Sequence, residues 1–529
     1  MSWSSAFKYL PAAAAAGLAG VAVRDLTQKQ HAILRNFPVV GHFRYWLETV
    51  GPELRQYVVA ANDDERPFSR DQRRWVYASS KLENNYFGFG SDNDVEHTEG
   101  YTIIKHRTFA ETVPATHHYA DVNSPIPSPK VLGAARGRAK AFRPASVVNI
   151  SAMSYGSLSG RAIEALNKGA AMAGCMHNTG EGGLSAYHRN GGDLVLQIGT
   201  GYFGCRDEEG RFDLERLKEK CESAPVKALE VKLSQGAKPG LGGLLPGAKV
   251  TPEIAEIRGI PEGKDCVSPS RHAEFSDVDS MLDWIEMIAT ETGLPVGIKS
   301  AVGDLAFWET LVAHMESGER GVDFVNIDGG EGGTGAAPLI FSDSVALPFR
   351  AGFPRVYSLF ARAGLTDRVT FIGAGKLGLP DNALVAMALG CDMVNVGREA
   401  MLAIGCIQAQ KCHTDECPTG VATQNPWLAH GLDPASKSVR AANYIRTLRR
   451  DLLKVAEACG VQHPALVGVD DIEILFAQRE SVPLRDLVGY DDGWGMIGRE
   501  LRDELITVME GTDQGDAEPE SAPPSAHAR

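Results

Sequence analysis

Residues 369–397 read VTFIGAGKLGLPDNALVAMALGCDMVNVG, two short β-rich runs joined by a segment of helical periodicity. The runs are Val369–Gly373 and Met393–Gly397, and the helical segment is Asp381–Leu389. A strand, a helix and a second strand in that order predict a parallel strand pair with a crossover helix. Each run ends in glycine, which is typical of loops that approach a ligand closely.

The same alternation extends back through the middle of the chain. Helical segments at 161–173 and 281–291 alternate with further β-rich runs, and eight runs in all predict a closed (β/α)8 TIM barrel, an α/β fold. The alternative is an open doubly wound sheet, which wants a G-x-G-x-x-G turn near its start; the sequence has none there. The six upstream runs are VVNISAM (147–153), CMHNT (175–179), LVLQI (194–198), ALEVKL (228–233), PVGIKS (295–300) and FVNID (324–328).

The composition is that of a globular protein. Of 529 residues, 43% are hydrophobic and 23% charged, which excludes wholesale disorder, a collagen-like repeat and a polytopic membrane protein. A net charge of -14 argues against a broad nucleic-acid footprint. The nine cysteines are an odd number and do not suggest a secreted disulfide framework. We therefore expect a cytoplasmic protein, with membrane association through the N-terminus as the alternative.

Four regions are expected: an apolar N-terminal segment (1–30), a helical wrapping region (31–140), the barrel with a cysteine loop (141–480), and a C-terminal extension ending in a disordered tail from Gly511 (481–529). Leu10–Val23 is apolar but shorter than the roughly 20 residues that a bilayer-spanning helix needs. A packed or interfacial helix, a membrane anchor and a cleaved signal peptide all stay open for this segment.

Polar residues follow the predicted strands, at the end where barrel enzymes place their sites. Lys299 closes an apolar strand, where it either forms a structural ion pair or stabilises negative charge on a reduced flavin or an enolate. Lys232 and Lys238 are candidates for binding carboxylates. Glu181 is a candidate for positioning an ammonium or imine or for relaying a proton. Structural roles are the alternative for each. Glycines after strands six, seven and eight suit a phosphate, unless they only make tight turns.

Three cysteines, Cys406, Cys412 and Cys417, follow strand eight with C-x5-C-x4-C spacing. Thiolates bind iron–sulfur clusters and zinc alike. Three ligands favour a three-iron cluster, or a four-iron cluster with an outside fourth ligand. Zinc with His413 and plain structural cysteines are the alternatives, although a histidine adjacent to Cys412 does not easily close the same tetrahedron.

Six motifs together resemble the FMN-binding synthase domain of glutamate synthase, in order, over about residues 147–460. A shorter glutamate-synthase-like branch of that family is the most similar overall. Because the motifs include the cysteine spacing, their combination is far more specific than any one of them. They are SAMSYGSLS (151–159), HNTGEGG (177–183), VKLSQGAKPG (231–240), LLPGAKV (244–250), IDGGEGGTGAAPL (327–339) and GCIQAQKCHTDECPTGVATQ (405–424).

The resemblance implies a barrel that holds FMN and a [3Fe–4S] cluster. Lys299 would face the pyrimidine side of the flavin, and the three cysteines of the loop would bind the cluster. The residues implied for FMN are Ala152, Met153, Ser154, Asn178, Lys299, Asp328, Gly329, Gly330, Gly373, Gly375, Gly397 and Arg398.

The resemblance also implies a reaction, in which a ferredoxin or a reductase subunit supplies electrons to reduce an imine of 2-oxoglutarate and ammonia or an amine. The implied catalytic residues are Glu181, Lys232 and Lys299. The implied substrate-binding residues are Gln235, Lys238 and, more loosely, Arg258. A homo-oligomer is expected. Oxidation of a 2-hydroxy or amino acid, or an electron-transfer module without small-molecule turnover, are the alternatives.

Two departures from the family pattern bear on that reaction. The chain starts Met1-Ser2-Trp3 and has no cysteine before Cys175, so we expect no glutaminase activity. PGLGG stands where the family typically reads PGEGG, which places Leu241 at an acidic position.

Overall fold

The computed structural model divides the chain into two compact units, Met1–Gln72 and Arg73–Arg529. Helices form the first unit. The structure describes residues 3–59, 64–86, 88–91, 93–110, 125–477 and 480–512. The tail predicted to be disordered therefore lies outside the described residues from position 513 onward. The first helices are α1 (Trp3–Thr27), α2 (Ala32–Asn36), α3 (Gly41–Leu54) and, at the boundary of the units, α4 (Arg70–Lys81).

The apolar segment Leu10–Val23 lies within α1. Near the end of this helix, the buried Asp25 accepts a hydrogen bond from the Val39 backbone N–H (2.8 Å) and lies 3.0 Å from His42 Nε2. A helix with both the length and the apolar character to cross a membrane is not found in the described part of the chain.

A closed barrel of eight parallel strands forms the centre of the second unit. The strands of this unit are β1 (Thr102–Ile104), β2 (Val148–Ile150), β3 (His177–Asn178), β4 (Leu194–Ile198), β5 (Val226–Lys232), β6 (Leu244–Leu245), β7 (Cys266–Val267), β8 (Val296–Ser300), β9 (Phe324–Asp328), β10 (Thr370–Ala374), β11 (Met393–Val396), β12 (Ile472–Ala477) and β13 (Glu480–Pro483). β2, β3, β4, β5, β8, β9, β10 and β11 close into the barrel in that order, and each overlaps one predicted run. The (β/α)8 prediction is confirmed.

Helices surround the barrel. The predicted helical segments at 161–173, 281–291 and 381–389 correspond to α5 (Gly160–Ala173), α8 (Val278–Thr292) and α12 (Pro380–Ala388). The helices of this unit are α5 (Gly160–Ala173), α6 (Leu214–Glu222), α7 (Pro252–Arg258), α8 (Val278–Thr292), α9 (Ala306–Met315), α10 (Leu339–Ser344), α11 (Phe349–Arg362), α12 (Pro380–Ala388), α13 (Arg398–Ala403), α14 (Pro426–His430), α15 (Pro434–Ala458), α16 (Leu484–Val488) and α17 (Arg499–Thr512).

The barrel interior changes from apolar to polar along the strands. Ala228 of β5 and Phe324 of β9 belong to one buried apolar cluster near the strand beginnings. Two positions further, Glu230 and Asn326 face each other and form a hydrogen bond (2.7 Å). Because strand side chains alternate between faces, the next inward position of each strand also faces the interior, and there it is charged. The C-terminal mouth of the barrel is therefore ionic above an apolar base.

Two features of this unit were not predicted. β1 and β13 flank β12 in a small antiparallel sheet, which joins residues near 102 to residues near 474. The long helix α15 packs against α5, where a Cβ at Gly169 would lie 2.6 Å from the Ala441 Cβ. Both features depend on segments far apart in the chain, for which local patterns carry no signal.

Candidate active site

A buried carboxylate forms the floor of the barrel mouth. Glu230 is 1% exposed and accepts hydrogen bonds at both oxygens. The donors are side-chain amides of three other strands: Asn178 Nδ2 (2.8 Å), Gln197 Nε2 (2.7 Å) and Asn326 Nδ2 (2.7 Å). A carboxylate this deep needs such partners, since an unpaired buried charge is strongly unfavourable. The four side chains form one hydrogen-bonded layer across the barrel.

Lys299, near the end of β8, interacts electrostatically with Glu230 of this floor. It is 5% exposed, and its Nζ is 3.5 Å from Asp328 Oδ2, which also accepts from the Gly236 backbone N–H (3.0 Å). Burial works against the charged form, yet Asp328, Glu230 and Glu181 together raise the pKa of Lys299 above its ordinary value. Lys299 is therefore a buried ammonium that its acidic neighbours hold in the charged form.

A second ion pair lies next to the first, because Lys232 of β5 is in register with Lys299 of β8. Lys232 Nζ is 3.0 Å from Glu181 Oε1 and donates to Gln235 Oε1 (2.8 Å). Burial opposes ionisation of Glu181, but Lys232, Lys238 and Arg258 lower its pKa below the ordinary value. Glu181 is thus an ionised carboxylate, and two of the three predicted lysines, Lys232 and Lys299, have an acidic neighbour.

Glycines confine the Glu181 carboxylate from two sides. A Cβ at Gly243 would lie 2.4 Å from Glu181 Oε1, and a Cβ at Gly199 would lie 2.8 Å from Oε2. Any side chain at either position would displace the carboxylate from Lys232. Gly199, which follows β4, and Gly243, in the insert after β5, thereby set the position of a charged group from the loop after β3.

Lys238 is the ammonium of this group without a carboxylate within salt-bridge distance in the described residues. Its Nζ donates to the Ala336 carbonyl (3.2 Å), and the side chain is buried. Burial and the charge of Lys232 lower the pKa of Lys238 to about 8, although Glu181 opposes the shift. A substrate carboxylate would supply the partner that Lys238 lacks.

The backbone of Lys232 is supported by His272 from the same insert. His272 Nε2 lies 2.9 Å from the Lys232 carbonyl, and its Nδ1 lies 3.1 Å from the Tyr202 hydroxyl. Burial lowers the pKa of His272 to about 4, so the ring is neutral at pH 7. A neutral ring that donates from Nε2 to the carbonyl accepts the Tyr202 hydroxyl at Nδ1.

A glycine directly follows each of the strands β9, β10 and β11: Gly329, Gly375 and Gly397. Gly375 has a φ of 113°, which strongly favours glycine, and a Cβ there would lie 3.0 Å from the Gly329 nitrogen. At Gly397 a Cβ would meet one atom within 4 Å, the Ser151 Cβ at 3.6 Å, so space is open beside this strand end. Bare backbone, open space and the buried cation of Lys299 fit a flavin nucleotide at this face.

The three cysteines lie in one loop after α13, at residues 406–417. Burial and the neighbouring thiols raise the pKa of Cys406, to about 12, and of Cys412. For Cys417 burial is outweighed by N–H donors that include the backbone of Ala422, which lower its pKa. Three cysteines in one loop are a donor set that iron–sulfur clusters use, so the residue types fit a cluster. Across the described ranges, no three potential ligand side chains are close enough to share a metal ion.

Arg258, predicted for substrate binding, and Asn178 and Gly373, predicted for FMN, contact groups other than the Glu181–Lys232 pair. Arg258 is buried and donates to the Tyr155 carbonyl (2.9 Å), with Ser154 Oγ at 3.4 Å. Asn178 belongs to the Glu230 layer described above, and a Cβ at Gly373 would meet Leu377, Phe349 and Cys391, on the helix side of the barrel. The remaining residues implied for FMN follow or end the strands β2, β9 and β11: Ala152, Met153, Ser154, Asp328, Gly330 and Arg398.

Several residues of the site were not predicted. Glu230, Gln197 and Asn326 each interrupt an apolar strand with a polar side chain, and that interruption is a signal that the sequence contains. His272 carries no such signal, because it lies in the irregular insert between β5 and β8. Its contacts with Tyr202 and the Lys232 carbonyl arise only when the insert folds back over the barrel.

Comparison with known proteins agrees with the motifs. A family model described as the conserved region in glutamate synthase matches residues 105–462. A glutamate synthase large subunit-like protein of Bacillus subtilis (strain 168) is 40% identical over 474 residues, which cover 84% of this chain and 90% of that protein. An archaeal glutamate synthase (NADPH) of Archaeoglobus fulgidus is 36% identical over 337 residues, 63% of this chain and 61% of that protein. The match thus spans about three-fifths of that archaeal relative.

Among solved structures, a mandelate oxidase mutant with an FMN monooxide adduct aligns with a TM-score of 0.39 and 15% identity, over 71% of this chain and 88% of that chain. Values this low establish neither a shared site nor a shared activity.

Proposed function

Since this chain belongs to the glutamate synthase family, we propose that it is an oxidoreductase that reduces the imine of 2-oxoglutarate to glutamate or a related amino acid. The observation that carries the proposal is the charged mouth of the barrel, where Lys238 stands beside the Glu181–Lys232 pair. In the reaction, ammonia or an amine condenses with the oxo group and water leaves. The imine carbon then gains a hydride and its nitrogen a proton.

Each charged residue has a proposed task in this reaction. Lys238 binds a carboxylate of the substrate, since its ammonium has no acidic neighbour of its own within salt-bridge distance in the described chain. Glu181 holds the ammonium or imine nitrogen by charge and moves a proton at that atom. Lys299 stabilises negative charge that builds at the mouth during reduction. Arg258 and Gln235 act through their neighbours, Arg258 beneath Ser154 and Gln235 on Lys232.

We also propose two cofactors, FMN at the glycine-lined strand ends and a [3Fe–4S] cluster at Cys406, Cys412 and Cys417. When bound, FMN would supply hydride transfer and the cluster single-electron transfer. Support comes from the open backbone at Gly397 and from the donor set of three cysteines in one loop. The two electrons would come from a ferredoxin or a reductase subunit. Self-association and membrane attachment through residues 10–23 stay predictions.

An anaerobic acceptor experiment tests the proposed function. We expect the full chain, loaded with FMN and iron and then photoreduced, to be reoxidised by 2-oxoglutarate and ammonium together, with glutamate as the product. Flavin absorbance in a stopped-flow instrument and mass spectrometry of the product check this. Omission of either substrate is the control. Reoxidation by a 2-oxo acid without ammonium would point instead to 2-hydroxy acid chemistry, and no reoxidation by any acceptor would point to an electron-transfer module.

Substrate binding should weaken at alkaline pH because of Lys238. Its pKa, lowered to about 8, means that the ammonium is present below pH 8 and is lost as the pH rises through that value. We therefore expect the KM for 2-oxoglutarate to rise about tenfold per pH unit above pH 8, with a smaller change in kcat. Steady-state kinetics between pH 6.5 and pH 10 measure this. Lys238→Met should give a high KM at every pH; a slope that persists in this variant would assign the effect elsewhere.

A further inference from the structure

A lysine outside the charged mouth joins three separate segments of the chain. Lys249 lies in the short helical turn Gly247–Lys249 of the insert after β5 and is 2% exposed. Its Nζ donates to the carbonyls of Ser157 (2.6 Å), Cys412 (3.2 Å) and Ala422 (3.1 Å). An ammonium has three donors and no acceptor, so its hydrogen-bonding capacity is fully used by backbone.

One of those segments is the loop after β2, and a second side chain binds it in the same way. Gln424 Nε2 donates to the carbonyls of Gly156 (3.0 Å) and Leu158 (2.8 Å). Three successive carbonyls, 156 to 158, therefore accept from Lys249 and Gln424. This loop begins with Ala152, Met153 and Ser154, the residues proposed for FMN. The cysteine loop and the flavin-side loop are thus tied together by backbone-directed hydrogen bonds.

The cysteine loop itself is held in a strained conformation. Gln408, Gln410 and Asp415 have φ angles of 60°, 56° and 65°, in the left-handed region that non-glycine residues rarely adopt. Such residues persist where surrounding contacts over-determine the backbone. Here Asp415 Oδ1 accepts from the Gln424 backbone N–H (2.7 Å). Lys249 binds the same loop at Cys412, midway between the strained positions.

We propose that Lys249 is a positioning residue, which holds the cysteine loop against the loop after β2 and so sets the geometry of the metal-binding thiols. The proposal rests on the proposed function in so far as those thiols bind an iron–sulfur cluster. Among the side-chain types, lysine is the one whose single terminal nitrogen offers three donors. Without the ammonium, three carbonyls would lose their donor, and the strained loop would relax away from the conformation that these hydrogen bonds hold.

The test compares Lys249→Met with Lys130→Met. Lys130 is a matched control because it is also buried and donates to three acceptors, Thr366 O (2.7 Å), Val369 O (2.9 Å) and Asp392 Oδ2 (2.9 Å), yet it lies at the opposite end of the barrel. Both variants should lose stability. Only Lys249→Met should lose iron affinity, by about 10–100-fold, as expected for a partner that orients metal ligands. Iron per chain and the electron paramagnetic resonance signal after reconstitution measure this.

A second readout needs no metal. In iron-free protein, amide hydrogen exchange over residues 406–424 should be faster in Lys249→Met than in the wild type, and unchanged there in Lys130→Met. Wild-type protein that never binds iron would refute the proposed cluster, and the exchange result alone would then decide the role of Lys249. The inference would be overturned if Lys249→Met bound as much iron as the wild type and exchanged its amides at the same rate. Equal losses in Lys249→Met and Lys130→Met would also overturn it. Should Lys249→Met fail to fold, Lys249→Gln, which keeps two donors, takes its place.

Discussion

Lys299→Met is expected to lower the free energy of unfolding by about 3–5 kcal/mol, the range for breaking a buried ion pair by removing one partner. Asp328 is 6% exposed, and the Lys299 ammonium is 3.5 Å from its carboxylate. Glu230 loses the same cation one layer below. Two carboxylates would then share a buried site with no compensating charge from β8. Urea denaturation of the variant and the wild type at pH 7 measures the difference.

The deficit should arise from charge rather than from lost packing, because removal of the ammonium leaves the Asp328 carboxylate buried without its cation. The double variant Lys299→Met, Asp328→Leu removes both charges and should recover much of the loss. Equal stability of the single variant and the wild type would contradict the buried pair.

Glu181→Gln is expected to lower kcat by about 10²–10⁴-fold, the contribution typical of a positioned acid–base group. The amide keeps the shape of the carboxylate and its contact with Lys232 but carries neither the charge nor the proton affinity. Because Gln235 still accepts from Lys232 (2.8 Å), the local structure should be retained. Steady-state kinetics with 2-oxoglutarate and ammonium, together with a thermal melt to verify folding, measure the effect.

Gly243→Ala provides an independent control for this role. The added Cβ would lie 2.4 Å from Glu181 Oε1, so it should displace the carboxylate while leaving its chemistry intact. We expect kcat to fall in this variant as well, and further loss to be small when Glu181→Gln is added. Activity of Glu181→Gln within twofold of the wild type would show that the carboxylate neither holds the nitrogen nor moves a proton.

Proximity of the candidate site residues follows from the sequence where a strand places them, and does not follow where an insert does. Lys232 and Lys299 end neighbouring strands, so parallel register alone brings them to the same level. Arg258, the looser candidate for binding a carboxylate, comes from a helix in the insert, and its guanidinium donates to the Tyr155 carbonyl. Helices and strands have a fixed periodicity that tells which side chains share a face, whereas an irregular segment has none. The directions of its side chains therefore do not follow from the sequence.

The barrel was determined by the sequence itself, because apolar runs, helical periodicity and glycine turns are local properties that survive without knowledge of partners. The same holds for the order of charged residues along β5, β8 and β9. Tertiary structure alone decided which charged side chains form ion pairs with each other. Lys249 reaches carbonyls that lie 92, 163 and 173 positions away in the chain, and Asn326 reaches Glu230 across 96 positions. Contacts over such separations exist only after the barrel closes, since closure is what brings those backbones within hydrogen-bond distance.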